Sequence, residues 1–237
     1  MSFSAYERAN GRYFDGMLPG HDVSEGPAFS NANAVIKITN LEEACAKIVE
    51  LNQTAMLGLD VTRTLHKVIE GLKEAWKGSD AVVHIHNMIA WKSMTASLGS
   101  MALIISEEMH MEMQRMNEKQ VANGGKEIYT GYIATTPMTD YLKDSDDPVD
   151  NGEVYVDTWN ARVQLSNLKL AQGMFFDFFD KYSKLHSYIA EVWQEGGGRD
   201  ALEDAYQQFV SQIDMMREEF PQAIQALEQA IQNWEQR

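Results

Sequence analysis

The chain has 237 residues, 44% hydrophobic and 23% charged, with a formal net charge of −15 and a single cysteine. This composition supplies a substantial core and argues against both a disordered chain and a disulfide framework. An acidic surface repels phosphate backbones and anionic lipid, which argues against nucleic acid and membrane surfaces as partners.

Residues 1–34 are rich in Gly, Asn, Ser and Asp and contain Pro19 and Pro27, so they read as an N-terminal arm. The opening "MSFSAYERANGRYF" has no basic region followed by an apolar run. A cleaved signal peptide is therefore not expected, and synthesis in the cytoplasm is. The most apolar window, "MIAWKSMTASLGSMALII", carries Lys92 and several hydroxyls. It reads as a buried helix face, so no membrane insertion is expected.

Residues 35–123 read as a helical hairpin. "AVIKIT" alternates as a short strand, and Thr39 or Asn40 offers an N-cap oxygen, with Glu42 and Glu43 in the first turn. Apolar residues then fall into two rows. One holds Ile48, Ala55, Thr62, Ile69 and Trp76; the other holds Ala44, Leu51, Gly58, Leu65 and Leu72. A sustained 3-4 spacing is helical, because strand side chains alternate with period two. The helix should stop near Gly78. Ser79 then reads as the N-cap of a second helix that runs to "ANGG" at 122–125. Gly99 inside it either allows a close helix approach or weakens the helix.

Residues 124–153 hold prolines, glycines and an acidic cluster, and read as an inserted loop with room for a small hairpin. Residues 154–237 then repeat the pattern. Leu165, Leu168, Phe175, Phe179, Tyr182, Ile189 and Trp193 recover the rows, with Gln172 and His186 as polar exceptions. Ile38 to Trp76 spans 38 positions and Val156 to Trp193 spans 37. Asp-Ala follows each bend, at Asp80-Ala81 and Asp200-Ala201. Pro221 in the last helix should kink it or start a fresh turn. Two hairpins that each expose apolar stripes bury them best face to face. The predicted fold is all-α: two long antiparallel hairpins packed as a four-helix bundle, with the insertion between them.

At each bend a tryptophan precedes a glycine. Glycine tolerates the positive φ of a helix end, and an inward tryptophan covers the bundle's open end. Trp76-Lys77-Gly78, between "LKEA" and "SDA" and preceded by "IKIT" and an acidic helix start, resembles the WXG family. These are small helical-hairpin proteins of type VII (ESX) secretion in Gram-positive-type bacteria. The second bend departs from that motif, since Gln194 and Glu195 separate Trp193 from Gly196. The resemblance implies a tandem, single-chain version of the family's paired hairpins, with the bends at opposite ends. It also implies protein partners, among them the secretion machinery or another helical protein, with homo-oligomers allowed. Export without a cleaved signal peptide follows from it as well, through a non-enzymatic role as substrate, adaptor or secretion partner. The recognition or turn residues it marks are Trp76, Gly78, Trp193 and Gly196. The family's export signal, Tyr-x-x-x-Asp/Glu, has no match at any tyrosine.

Other chemistry is thin. Glu107 and His110 have the Glu-x-x-His spacing of ferritin-like metal-carboxylate oxidases, but no second copy exists, and a solvated acidic face explains them. His84 and His86 point about 200° apart on a helix and cannot share a metal. "GMFFDFFDKY" reads as core, and the methionines at 109, 111, 113 and 116 as either a soft contact surface or bundle filling. Cys45 reads as buried packing. No cofactor and no metal are expected. The rival readings are the oxidase and a structural, filament-forming bundle.

Overall fold

The computed structural model describes residues 35–133, 148, 150–196 and 198–236. The N-terminal arm and the hairpin expected inside the insertion lie outside them. Four helices dominate: α1 (Leu41–Ala75), α2 (Ser79–Ala122), α3 (Thr158–Val192) and α4 (Arg199–Glu235). They form the expected all-α bundle of two hairpins. α1 packs against α2 and α3, and α4 completes the square against the same two helices.

Four very short strands clamp the hairpins together: β1 (Lys37–Ile38), β2 (Trp76–Lys77), β3 (Tyr155–Val156) and β4 (Trp193–Glu195). β1 pairs antiparallel with β4, and β2 with β3, so each lead-in strand joins the bend of the other hairpin. The register places Trp76 opposite Val156 and Ile38 opposite Trp193. Thr39 N–H donates to Val192 O at 2.9 Å, and Asp157 N–H donates to Ala75 O at 2.7 Å. Each contact satisfies a carbonyl left over at a helix C-terminus. The hairpins are therefore antiparallel to each other, with the two bends at opposite ends of the bundle.

Local chemistry explains the ends. Asn40 caps α1, accepting from Glu43 N–H at 3.1 Å and donating to the Glu43 carboxylate at 3.0 Å. Asp157 caps α3 in the same way, through Asn160 N–H at 3.0 Å. The cap of α2 differs from expectation. It is Gly78, at φ 134°, and Ser79 is already helical. The short link from β2 turns so sharply that only glycine fits at the cap position, and Asp80 serves the turn instead by accepting from Ala81 N–H at 2.9 Å. α4 runs unbroken through Pro221.

Every residue of the two rows assigned to α1 is buried. So are Asn52, Val61 and Val68, because α1 faces two neighbours and buries a wider surface than one seam. Gly99 sits on the Gly58–Leu59 backbone: a Cβ there would lie 3.2 Å from Gly58 C and 3.2 Å from Leu59 N. Close helix approach is thus its role. Two polar pairs flank that crossing, Thr62 to Thr95 at 3.2 Å and Asn52 to Ser106 at 3.1 Å. On the other side an aromatic cluster fills the core, with Phe175, Phe178, Phe179, Tyr182 and Phe209 buried. The Tyr182 hydroxyl donates to Ala102 O at 2.8 Å. α2 is long and apolar enough to cross a membrane by length and composition, but 67% of its most apolar 18-residue window is buried inside the bundle.

Candidate functional site: the two tryptophan bends

Trp76 and Trp193 are both buried, at 2% and 1% exposure, and both lie in extended segments just past a helix end. Their surroundings differ. The Trp193 indole N–H donates to Gly196 O at 2.9 Å, and Arg199 Nε donates to Trp193 O at 2.8 Å. Gly196, at φ 81°, lies so near β1 that a Cβ would come within 2.5 Å of Val35 O. This bend is closed, with its polar groups satisfied by its own turn.

The Trp76 bend is not closed in that way. The Trp76 indole N–H is buried and has no hydrogen-bond partner among the described residues. An unsatisfied buried donor of this kind costs about 1–3 kcal/mol. The Trp76 ring lies 5.4 Å from the His84 ring, tilted by 32°. Burial pushes the His84 pKa down, against an opposing pull from Asp80. Beside the ring is an open cleft of about 390 Å³ whose walls include Trp76, Lys73, Lys77, Pro148 and Glu153. Lys77 pairs with Glu153 at 3.2 Å and Lys73 with Glu70 at 3.0 Å. These are exposed pairs of small energetic worth, and they leave the cleft electrically balanced. The last turn of α4 reaches the same place: Trp234 Nε1 donates to Asp80 Oδ2 at 2.7 Å. The equivalent Asp200 is 99% exposed and, among the described residues, pairs with its neighbour Arg199 at 3.5 Å. The Asp-Ala echo therefore has no common structural role.

The other candidates are absorbed by packing. The chain turns at residues 123–125 and folds back along α2. There the Asn117 side chain bonds both the N–H and the C=O of Ile128, at 3.0 and 2.9 Å. His110 Nε2 reaches Thr130 O at 3.2 Å and Gly131 O at 3.3 Å. Both partners are acceptors, so that nitrogen carries the hydrogen and offers no lone pair to a metal. Glu107 is half-buried, and burial, helped by Glu108, raises its pKa. Buried Glu112 pairs with Arg115. Among the described residues no three His, Cys, Asp or Glu side chains gather to hold a metal ion. His84 lies against Trp76, whereas His86 is exposed. His186 stacks on Tyr206 at 3.4 Å with Glu203 at 3.6 Å. Met109 and Met113 are core residues. Cys45 is 1% exposed, and burial raises its thiol pKa to about 11, which makes it inert packing.

The spacing in the sequence places both tryptophans and both glycines at the bends, where the structure has them. It misses Asp80–Trp234 and the Asn117 clamp, whose partners carry no local signal in the sequence. Comparison with known proteins finds no family model, no curated protein and no solved structure that matches this chain.

Proposed function

We propose that this chain is a non-enzymatic, WXG-like protein of a type VII secretion pathway. In this reading it acts as substrate, adaptor or secretion partner through contacts at the Trp76 bend. The observation that carries the reading is the contrast between the bends. Trp193 satisfies its indole N–H within its own turn. Trp76, in the motif Trp76-Lys77-Gly78, holds a buried donor with no partner among the described residues, beside an open cleft. An incoming segment that brings a carbonyl or carboxylate acceptor to that donor would remove the penalty of leaving it unpaired. The cross-hairpin strand pairing supports the tandem arrangement, since each hairpin supplies what a separate partner supplies in the paired family. Because no tyrosine is followed by the family's acidic export position, export in this reading depends on a second protein docked at the Trp76 bend. The test is whether the protein reaches the culture medium, and whether it stops doing so when the pathway's motor ATPase is inactivated. Retention in the cytoplasm in both strains contradicts the proposal.

A further inference from the structure

The outer face of α3 carries a second 3-4 row that the bundle does not use. Trp159, Val163, Ser166, Leu170 and Gly173 are spaced by 4, 3, 4 and 3 positions, and all five are exposed. Trp159 is 73% exposed and Leu170 60%, among the most exposed large apolar side chains on the helices. The buried row of α3, Ala161, Leu165, Leu168 and Phe175, lies on the opposite side of the helix. Among the described residues, nothing in the bundle requires an apolar seam here.

Charge makes the face unusual too. The chain carries −15, yet no Asp or Glu occurs from Thr158 to Phe176. The two cations on that stretch are already neutralised from α4, Arg162 by Glu235 at 2.6 Å and Lys169 by Glu228 at 2.9 Å. Two copies of so acidic a chain repel each other over most of their surfaces. This face is an uncharged patch where that repulsion is weakest.

The row is also self-complementary. Ser166 is its midpoint, with Trp159 seven positions before it and Gly173 seven after. If two α3 helices cross antiparallel at Ser166, Trp159 of each meets Gly173 of the other, and Val163 falls beside Leu170. The largest side chain lands on the smallest. A Cβ built at Gly173 meets nothing within 4 Å, so the space above it is open. The Ser166 hydroxyl is turned back onto its own helix, donating to Arg162 O at 3.0 Å, which lets the helices approach closely at the centre. A seam symmetric about its own midpoint is what a two-fold, isologous contact needs. A seam built for a different partner has no reason to place its knob and its hole at equal distances.

We infer that the outer face of α3, from Trp159 to Gly173, is a homodimer interface in which two copies of this chain pair antiparallel about Ser166.

The test uses the full-length protein. Sedimentation should show a concentration-dependent dimer. Trp159→Lys and Gly173→Glu alter only exposed positions and should keep the helical spectrum. Each should weaken dimerisation at least about thirtyfold, as expected when an aromatic anchor loses its pocket. Ser166→Cys should cross-link to its own symmetry mate under mild oxidation, whereas Ser187→Cys, exposed on the same helix outside the seam, should not. Buried Cys45 leaves this readout clean. A wild-type chain that is monomeric at every soluble concentration overturns the inference. If the introduced thiol of a monomeric Ser166→Cys variant also resists a thiol reagent, a segment of the same chain covers the face. If that thiol reacts freely, the face awaits another protein or none. A dimer unaffected by both substitutions, and not cross-linked in the Ser166→Cys variant, overturns it equally.

Discussion

Trp234, in the last turn of α4, donates its indole N–H to Asp80, in the first turn of α2 and 154 residues earlier, at 2.7 Å. The same carboxylate accepts from Ala81 N–H at 2.9 Å. One side chain thus serves the start of one helix and pins the end of another. A hydrogen bond to a charged acceptor contributes about 1.5–3 kcal/mol, and partial exposure of Asp80 places this one at the low end. Asp80→Ala should lower Tm by about 3–6 °C, at about 2–4 °C per kcal/mol for a chain of this size. Trp234→Phe should cost a similar amount, and the double variant clearly less than the sum, because the two losses are one bond. Simple additivity in the thermal melts would show that the contact carries no stability.

Two glycines on helices should respond oppositely to the same change. Gly99→Ala places a methyl 3.2 Å from the backbone of Gly58 and Leu59, atoms that cannot turn aside. Forcing α1 and α2 apart should cost about 1–3 kcal/mol. That outweighs the roughly 1 kcal/mol by which alanine exceeds glycine in helix propensity. Gly173→Ala meets nothing within 4 Å and should stabilise the chain by about 0.5–1 kcal/mol. Denaturant unfolding in dilute solution reads both signs. A stabilising Gly99→Ala would show that the helices are not in close contact there.

His186 makes the bundle sensitive to acid. Burial between α3 and α4 lowers its pKa from 6.5 to about 4, despite the nearby Glu203. Between those values the unfolded chain binds a proton that the folded chain refuses. The His186 contribution is therefore full above the window and falls as pH falls through it, by at most about 3 kcal/mol. Glu112, whose pKa burial raises, works in the opposite direction. Comparing wild type with His186→Phe, which keeps a ring against Tyr206, cancels that opposing effect. The stability difference between the two proteins should change by about 2–3 kcal/mol between pH 6.5 and 4, with the variant gaining relative to wild type as pH falls. Parallel pH profiles would show that the imidazole is solvated in the fold.

The inward rows were legible because the 3-4 spacing persists through helices of 35 residues, and no other element can use it. The two hairpins followed from the repeat, but the repeat alone left open whether their bends lie at the same end or at opposite ends of the bundle. What the pattern hid has physical causes. α1 lies between two helices, so its buried surface includes Asn52 and Thr54, which no hydrophobic row predicts. The cross-hairpin strands are only two or three residues long, and their pairing depends on partners more than 70 residues away. Ser79 has the right chemistry for a cap, but the geometry of β2 moves that position to Gly78. At the candidate site the sequence separates Trp76 from Trp193 only by spacing, because Gly196 stands one position farther from its tryptophan than Gly78 does. The hydrogen bonds give that difference its physical content, through the carbonyl of Gly196 that one indole has and the other, among the described residues, lacks.

That asymmetry is the central claim, and paired tryptophan-to-phenylalanine variants test it most directly. Phenylalanine keeps most of the buried area and loses the indole N–H. Trp193→Phe gives up a satisfied bond, so Tm should fall by about 2–4 °C while export or partner binding persists. Trp76→Phe removes a donor unpaired among the described residues, a relief that offsets the packing lost with the smaller ring, so Tm should stay nearly unchanged while export or partner binding is lost. The decisive measurement is the fraction of Trp76→Phe protein in the culture medium, read beside its Tm. A near-zero fraction at wild-type stability is the result expected, and export at the wild-type level would contradict the account.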